Sequence, residues 1–312
     1  MSTKIEWTDE TWNPVRGCSL VSDGCRHCYA MKQAHRFSGK GGKYEGLTEL
    51  GPDGPRWTGK LRMVPELLDL PLRWKKPRMI FVNSMSDLFH GDVPFDFINH
   101  VFSTMFRCPQ HTFQILTKRP ERMLDYVSRS AFLSNAPFDN VWLGVSVENQ
   151  KAADERIPLL LQTPAAVRFV SAEPLLGPIN LRFPTGKNPN QDTWVIVGGE
   201  SGPGARPMHP DWASSLRDQC NGAGVPFFFK QWGAWVESNQ ESLWDGKHHR
   251  IGLMSGEPWF HHHGNGVGAY MYNLGKKRAG SLLDGREWKE YPKMRGVVDS
   301  QIVTNQREKM ST

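Results

Sequence analysis

Short runs of β-branched and aromatic residues recur along the chain, each ending in polar residues and followed by a segment that can form a helix. Several runs are apolar at consecutive positions, which is typical of parallel strands buried on both faces. The runs are Arg78–Asn83, Thr112–Leu116, Val141–Val147, Val167–Val170, Thr193–Val197 and Val225–Phe229. Between the first two, Phe95, Ile98, Phe102 and Met105 have near-helical spacing. Strands that alternate with helices predict right-handed βαβ units.

Six such strands, with a seventh near Thr11–Val15, favour an α/β fold built as a partial or complete parallel (βα) barrel over a doubly wound sheet. The alternation stops near Trp235. We therefore expect a barrel domain at residues 1–235, with an irregular insertion at residues 38–59, and an appended C-terminal subdomain at residues 236–312. The insertion is either a mobile lid or inert, and residues 300–312 are expected to fray.

Composition and length are those of a globular chain. The 312 residues are 38% hydrophobic and include 30 glycines, which excludes disorder over the whole chain. The longest uncharged apolar runs, such as Val225–Phe229, are far shorter than the roughly 18 residues that a membrane span needs. The first ten residues carry three acidic side chains, and we expect no secretory signal. We therefore predict a cytoplasmic protein with no membrane partner.

Three motifs of common enzyme classes are missing. The chain contains no G-x-x-x-x-G-K-[ST], no G-x-G-x-x-G that opens a helix and no G-x-S-x-G. Their absence argues against a P-loop NTPase, a Rossmann oxidoreductase and an α/β-hydrolase. The net charge of +6, with a pI of about 9.1, permits an anionic partner.

Three of the five cysteines lie within eleven residues, in the pattern C-x6-C-x2-C. They are Cys18, Cys25 and Cys28, in a loop that also contains Gly17 and Gly24. Thiolates in such a short loop can converge on one metal centre, and the two-residue gap is a common chelating span. Five cysteines are too few for a disulfide framework in a chain of this length. The loop therefore predicts a metal site.

Two kinds of metal centre fit the ligand count. A structural zinc ion needs four ligands, and His27 or His35 can supply the fourth, in a zinc-stabilised, non-enzymatic module that binds nucleic acid or protein. A [4Fe–4S] cluster held by three thiolates leaves one iron open to a further ligand. The cysteines follow the first predicted strand and precede a helix-like run, Tyr29–Arg36, so we expect them at the mouth of the barrel.

Polar or charged residues follow every predicted strand. Active sites in these folds lie at the carboxyl ends of the strands. Three glutamates at equivalent strand ends therefore predict a shared ligand-binding site. The candidate residues are Ser84, Ser86, Asp87, Glu148, Glu173, Gly198, Gly199 and Glu200. The alternative for Gly198-Gly199 is a tight turn with no ligand.

The three-cysteine loop after the first strand of a parallel partial barrel, with Tyr29 directly after the last cysteine, resembles that of radical S-adenosylmethionine (SAM) enzymes. The spacing in that superfamily is C-x3-C-x2-C, so this loop has three additional residues. Over nearly the whole chain the sequence is also similar to the phage and bacterial gene-product 37/68 family, which is regarded as radical-SAM-like. The segments that carry this resemblance are Glu6-Trp7-Thr8, Thr11-Trp12-Asn13-Pro14, Gly24-Cys25, Cys28-Tyr29-Ala30, Phe81–Asp87, Leu116–Pro120, Ser171–Pro174, Gly198–Gly202, Lys276-Lys277 and Leu283-Asp284-Gly285-Arg286.

The resemblance implies a [4Fe–4S] cluster on the three cysteines, SAM as the second cofactor and an external electron donor. In radical SAM enzymes the reduced cluster cleaves SAM to methionine and a 5′-deoxyadenosyl radical, which removes a hydrogen atom from the substrate. Gly198-Gly199-Glu200 is similar to the element that contacts the SAM amine, although here it follows about the sixth strand. Ser84, Ser86 and Asp87 are expected to meet the methionyl end. The catalytic residues and the reaction stay open.

Basic residues at one strand end and in the tail suggest a path for phosphates. The candidate nucleic-acid contacts are Lys118, Arg119, Lys276, Lys277 and Arg278. Similarity to phage proteins favours DNA or RNA modification or repair, in a bacterial or host cytoplasm. The rival substrate is a peptide or a partner protein bound by the C-terminal subdomain. His261-His262-His263 is either a metal-binding tract or a solvent-facing loop cluster.

Overall fold

The computed structural model describes residue 3 and residues 5–130, 133, 137–183, 192–237, 259–262 and 268–293. The strands are β1 (Glu10–Trp12), β2 (Val15–Arg16), β3 (Thr48–Gly51), β4 (Gly54–Trp57), β5 (Arg62–Met63), β6 (Met79–Val82), β7 (Thr112–Thr117), β8 (Val141–Ser146), β9 (Val167–Ala172), β10 (Thr193–Gly198), β11 (Phe227–Gln231), β12 (Trp235–Glu237), β13 (Trp259–His262) and β14 (Gly268–Asn273). The helices are α1 (Tyr29–His35), α2 (Phe95–Phe106), α3 (Pro120–Arg129), α4 (Gln150–Gln162), α5 (Pro210–Ala223) and α6 (Lys276–Ala279).

The centre of the molecule is a seven-stranded parallel sheet that forms a half-barrel with flanking helices. Its strands lie in the order β1-β6-β7-β8-β9-β10-β11, so each new strand is added to the same edge. A doubly wound sheet would reverse direction at a switch point. Within the described residues β1 and β11 each have one neighbour in this sheet, and the predicted parallel barrel is therefore confirmed in its partial form.

Alternate residues of the strands belong to two separate cores, as the period of a β-strand requires. The inner core lies within the half-barrel, and its large members are Trp7, Phe81, Trp142, Phe169, Trp194 and Phe228. The outer core lies between the sheet and the helices and includes Val82, Ile115, Val145, Val170, Val197 and Phe229. The strands are buried on both faces, which explains their near-continuous apolar runs.

The strand expected near Thr11–Val15 is divided into two. β1 pairs parallel with β6, whereas β2 pairs antiparallel with β5. Pro14 lies between them and has no N–H to donate to the ladder. Asn13 also leaves the sheet, and its Oδ1 accepts hydrogen bonds from Met85 N at 3.0 Å and from Ser84 Oγ at 3.2 Å. The first strand is therefore shorter than predicted.

The segment 38–59, expected to be irregular, contains the antiparallel hairpin of β3 and β4. Its turn is Gly51-Pro52-Asp53-Gly54, a sequence of turn-forming residues. Tyr44, Leu47 and Trp57 pack with buried residues of α1, and Cys18 and Cys28 lie against the same cluster. The hairpin therefore supports one side of the cysteine loop.

The C-terminal tail covers the edge of β11. Phe229 N donates to Trp288 O at 2.8 Å, and Glu290 N donates to Phe227 O at 3.1 Å. Because an exposed strand edge is a site of unwanted pairing, this contact protects the half-barrel. The division of the chain into residues 1–235 and 236–312 stays a prediction. His261 and His262 lie on β13, whereas His263 and the segment 300–312 lie outside the described residues.

The described part of the chain has no helix long and apolar enough to span a bilayer.

Candidate functional site

A cavity of about 230 Å³ opens at the carboxyl edge of the half-barrel. The cysteine loop, defined here as residues 17–28, forms one part of its wall, and residues at the ends of the parallel strands form the rest. Its apolar lining comes from inner-core side chains, including Trp7, Phe81 and Leu116. The cavity therefore reaches from the loop into the half-barrel.

Local backbone constraints fix the path of the cysteine loop. Gly17 has φ +91°, and a Cβ atom there would lie 2.3 Å from Lys60 O, so only glycine fits. A Cβ atom at Gly24 would lie 3.3 Å from the carboxylate of Glu148. A single 3₁₀ turn spans Asp23–Cys25, and α1 begins directly after Cys28.

All three thiols of the loop are free and line the cavity. Burial raises the pKa of Cys18 to about 12, with a contribution from Asp87 that the charge of Arg119 opposes. Burial also raises the pKa of Cys28, and the neighbouring Cys25 adds to this. The thiols of Cys18 and Cys28 are therefore protonated at neutral pH, and a metal that binds them must displace their protons.

The two histidines considered as a fourth zinc ligand are placed differently. His27 lines the cavity, whereas His35 Nδ1 forms a hydrogen bond with Thr48 Oγ1 at 3.1 Å. In the described part of the chain, no three Cys, His, Asp or Glu side chains converge as the ligands of one ion do. Of the two histidines, His27 is thus the one beside the cysteines.

Arg119 connects the cysteine loop to two strand ends. Its Nη1 donates to Asp87 Oδ2 at 2.8 Å, and its Nη2 donates to Ser19 Oγ at 2.8 Å and Ser19 O at 3.2 Å. Asp87 is buried and also accepts from Thr117 Oγ1 at 2.8 and 3.0 Å, and from Phe89 N at 2.9 Å. Both carboxylate oxygens of Asp87 are therefore occupied by donors of the protein.

His90 extends this network. Its Nδ1 accepts from Asp92 N at 3.2 Å, which leaves Nε2 as the donor to Ser19 Oγ at 2.7 Å. Burial and the charge of Arg119 lower the pKa of His90, so the ring is neutral at pH 7. Ser19, the residue after Cys18, is thus held by two side chains.

Each of the three glutamates at the strand ends is paired with a cation. Glu148 Oε2 accepts from Arg156 Nη1 at 3.0 Å, and both side chains are almost fully buried. Glu173 Oε1 lies 2.8 Å from Lys230 Nζ. Glu200 accepts from Arg206 through both oxygens, at 2.7 and 2.9 Å. The charges of all three strand-end carboxylates are therefore compensated within the protein.

The structure brings most of the predicted ligand-binding residues to the cavity. Those that line it are Ser84, Ser86, Asp87, Glu173, Gly199 and Glu200. Glu148 instead borders a second cavity of about 540 Å³, which Lys118 and Arg119 also line. Gly198 is not among the lining residues of either cavity.

Close packing accounts for both glycines of the Gly198-Gly199 pair. A Cβ atom at Gly198 would lie 2.7 Å from Glu173 Oε1, and one at Gly199 would lie 2.0 Å from Trp232 O. Gly199 N donates to Gln231 O at 2.9 Å. The pair thus allows the end of β10 to approach β11 and the residues that follow it.

The predicted phosphate contacts fall into two groups. Lys118 and Arg119 line both cavities, and Arg119 is engaged with Asp87 as described above. Lys276, Lys277 and Arg278 are exposed on α6, away from the cavity lining, and Lys276 Nζ lies 3.2 Å from Glu6 Oε1. The structure therefore does not bring the two groups into one site.

Trp7 and Asn83 are among the polar residues that line the cavity but were not candidate ligand-binding residues in the sequence analysis. Asn83 has φ +60°, a conformation that asparagine tolerates better than most residues, and its position directly after β6 was a usable signal. Trp7 precedes β1 and belongs to no periodic pattern. Ser19 and Arg206, which hold the cysteine loop and Glu200, were also missed.

Comparisons with known proteins give a family and a weak structural likeness. A family described as "Protein of unknown function (DUF5131)" matches residues 2–292. No curated protein matches the chain. A single-site mutant of spore photoproduct lyase is 12% identical, with a TM-score of 0.39 over 88% of this chain and 71% of that chain. A double mutant with bound AdoMet and dinucleoside spore photoproduct is also 12% identical, with a TM-score of 0.38 over 87% and 70%. Likeness at this level carries no information on activity.

Proposed function

The chain belongs to the DUF5131 family of proteins of unknown function, and from that premise we propose that it is a radical SAM-type enzyme with a [4Fe–4S] cluster. The observation that carries the proposal is the position of the three thiols. Cys18, Cys25 and Cys28 line a single cavity at the carboxyl edge of a parallel half-barrel. The carboxyl ends of parallel strands are where sites form in such folds.

The cysteine loop supplies donors of the right number and kind for such a cluster, and binding would bring its three thiols together. Three thiolates hold three irons and leave the fourth open, and the cavity beside them has polar walls for a second ligand. When bound, the cluster supplies the electron that cleaves SAM to methionine and a 5′-deoxyadenosyl radical for hydrogen abstraction. The chain needs an external electron donor for this chemistry, and we propose the cytoplasm as its location.

We assign two kinds of role to the polar residues around the cavity. Ser84 and Ser86 bind SAM directly, because both residues line the cavity. Asp87, Glu173 and Glu200 act as positioning residues, since their carboxylates already hold Arg119, Lys230 and Arg206. The apolar lining keeps water from the reacting groups.

The first experiment separates the cluster from zinc. The full chain is purified anaerobically from iron-replete cells, reconstituted with iron and sulfide, and analysed for iron, sulfide and zinc. The proposal predicts about four irons and four sulfides per chain, and slow formation of 5′-deoxyadenosine from SAM after reduction. Stoichiometric zinc without iron would instead identify the zinc-stabilised binding module, with His27 as the candidate fourth ligand.

We further propose that the substrate is DNA or RNA. The support is the exposed basic surface of α6, with Lys276, Lys277 and Arg278, on a chain of net charge +6. Phosphate contacts release counterions, so affinity should fall steeply between about 50 and 200 mM salt.

Paired charge variants test the nucleic-acid proposal. Lys277→Ala with Arg278→Ala should weaken retention on DNA and RNA, whereas Lys75→Ala with Lys76→Ala removes the same charge from the exposed segment before β6 and should not. Equal retention by both double variants would refute the role of α6. Negligible binding at low salt would favour the rival substrate, a peptide or partner protein.

A further inference from the structure

Two residues that line the cavity each carry a buried hydrogen-bond donor that has no partner. Trp7 is 2% exposed, and its Nε1 forms no hydrogen bond. Asn83 is also 2% exposed, and its Nδ2 forms none. Both residues line the cavity beside the cysteine loop. A buried donor without a partner costs free energy. A bound ligand that accepts a hydrogen bond from it would explain why the protein keeps such a donor.

The orientation of the Asn83 amide is set by its other atom. Oδ1 accepts from Val15 N at 3.2 Å, so the oxygen is assigned and the remaining group is the donor NH2. The indole Nε1 of Trp7 can only donate. The two free groups therefore require acceptors, and neither can serve a ligand that offers only donors.

The surroundings of the two donors select an uncharged, flat group. The rings of Trp7 and Phe81 lie 4.7 Å apart, and Ile5 and Leu116 also line this part of the cavity. Of the cations that line the cavity, Lys230 is paired with Glu173 at 2.8 Å and Arg119 with Asp87 at 2.8 Å. An apolar lining of aromatic rings favours stacking with a planar ring over binding of an anion.

We propose that the interior of this cavity binds a nucleobase ring, with Trp7 Nε1 and Asn83 Nδ2 donating to its carbonyl or ring-nitrogen acceptors. Base edges offer such acceptors in fixed positions. This inference rests on the proposed function, since the base belongs either to a nucleic-acid substrate or to the adenine of SAM. The two sources share their chemistry and are distinguished by the choice of probe.

The test uses the full chain, with and without the reconstituted cluster, and equilibrium dialysis against adenosine, uridine and SAM. Trp7→Phe keeps a ring and removes the donor, and it should weaken binding about tenfold, the value of one good hydrogen bond. Asn83→Asp keeps the oxygen that accepts from Val15 N but removes the amide donor. It should therefore weaken binding of the same probe. If the variants lose affinity for adenosine and SAM, the pocket is assigned to SAM. If they lose affinity for uridine, it is assigned to the substrate.

Trp12→Phe is the matched control. Trp12 lies in the outer core, and its Nε1 donates to Leu67 O at 2.7 Å. This variant should lower the melting temperature and leave probe binding unchanged. Trp7→Phe should weaken probe binding even when the two variants have the same melting temperature, because it removes a donor that has no partner in the protein.

Two results would overturn the inference: no probe binds the parent chain, or affinity changes less than twofold in both cavity variants. Failure of the proposed function is a separate result. Zinc in place of a cluster would refute the radical SAM assignment, whereas weaker binding of a nucleoside by Trp7→Phe in the cluster-free chain would still support the base pocket.

Discussion

The guanidinium of Arg206 holds the carboxylate of Glu200 through two bonds, with Nη2 2.7 Å from Oε1 and Nε 2.9 Å from Oε2. The same Nη2 donates to Asp23 O, inside the cysteine loop, at 2.9 Å. Glu200 therefore acts on the loop through Arg206. A glutamate at this strand end, expected from sequence to meet a ligand, is engaged with a side chain of the protein.

Glu200→Gln should loosen the cysteine loop. The variant keeps the size of the side chain but loses the charge, so about 1.5–3 kcal/mol of unfolding free energy should be lost. Hydrogen exchange at residues 18–25 should increase, and Glu287→Gln, at an exposed position, should change neither quantity. Weaker SAM binding with unchanged exchange in the loop would assign Glu200 a direct contact instead.

Cys18→Ala, Cys25→Ala and Cys28→Ala should each abolish stable iron binding, since two thiolates cannot hold the cluster. Iron and sulfide content after anaerobic reconstitution is the measurement. Cys220→Ala is the matched control, because Cys220 is free and buried in α5, outside the cavity. Full iron content in any of the three loop variants would remove that cysteine from the ligand set.

The half-barrel was predictable because its strands are buried on both faces, so that each one has a distinctive apolar run. The bounds observed for β6 to β11 differ from those runs by two residues or fewer. β1 was harder to predict, since Pro14 interrupts its run and only three residues pair with β6. The hairpin of β3 and β4 was missed, although its turn is rich in glycine and proline.

The site was predictable in position but not in its pairings. Parallel strands place their carboxyl ends at one edge, which is why Ser84, Glu173 and Glu200 line the same cavity. Nothing in the spacing pairs Glu173 with Lys230, because Glu173 follows β9 whereas Lys230 lies on β11. Trp7 enters the inner core from a segment without periodicity. The ion pair and the burial of Trp7 both depend on three-dimensional packing, which local sequence does not encode.

Arg119→Lys should weaken the link between the strand ends and the cysteine loop. An ammonium group lacks the planar fork that reaches Asp87 and Ser19 at once. We expect the variant to lose its cluster several-fold faster in air than the parent chain. The decay of the visible absorbance of the cluster measures this rate. Arg129→Lys, whose partner Asp125 is on the same exposed helix face, should have no effect. Equal rates of loss in the two variants would contradict the role given to Arg119.

Gly144→Ala should destabilise the half-barrel. A Cβ atom at Gly144 would lie 2.6 Å from the ring of Phe169, in the closely packed inner core. Overpacking of this kind costs about 1–3 kcal/mol, measurable by urea unfolding. Gly222→Ala is a control of opposite sign, because α5 has free space at that position and alanine is favoured in helices by about 0.5–1 kcal/mol. Phe169→Leu should relieve the effect of Gly144→Ala.

Acid should weaken the fold through the pair of Glu148 and Arg156. Burial alone would raise the pKa of Glu148, but the nearby Ser22 hydroxyl and the charges of Arg156 and Lys118 together lower it below 4.5. A carboxyl whose pKa is lower in the folded state stabilises the fold above its unfolded pKa, and this contribution is lost as the pH falls through the folded value. The unfolding free energy of the parent chain should therefore fall below about pH 4.5.

Glu148→Gln isolates this contribution. At pH 7 it should unfold more easily than the parent chain, because the neutral amide of glutamine does not compensate the charge of Arg156, which stays buried. The difference between the two chains should shrink as the pH falls below about 4.5, where the carboxyl of the parent chain also becomes neutral. Glu155→Gln changes an exposed residue of α4, and its unfolding free energy should follow that of the parent chain at every pH. A constant difference between Glu148→Gln and the parent chain down to pH 2 would show that the titration of Glu148 does not support the fold.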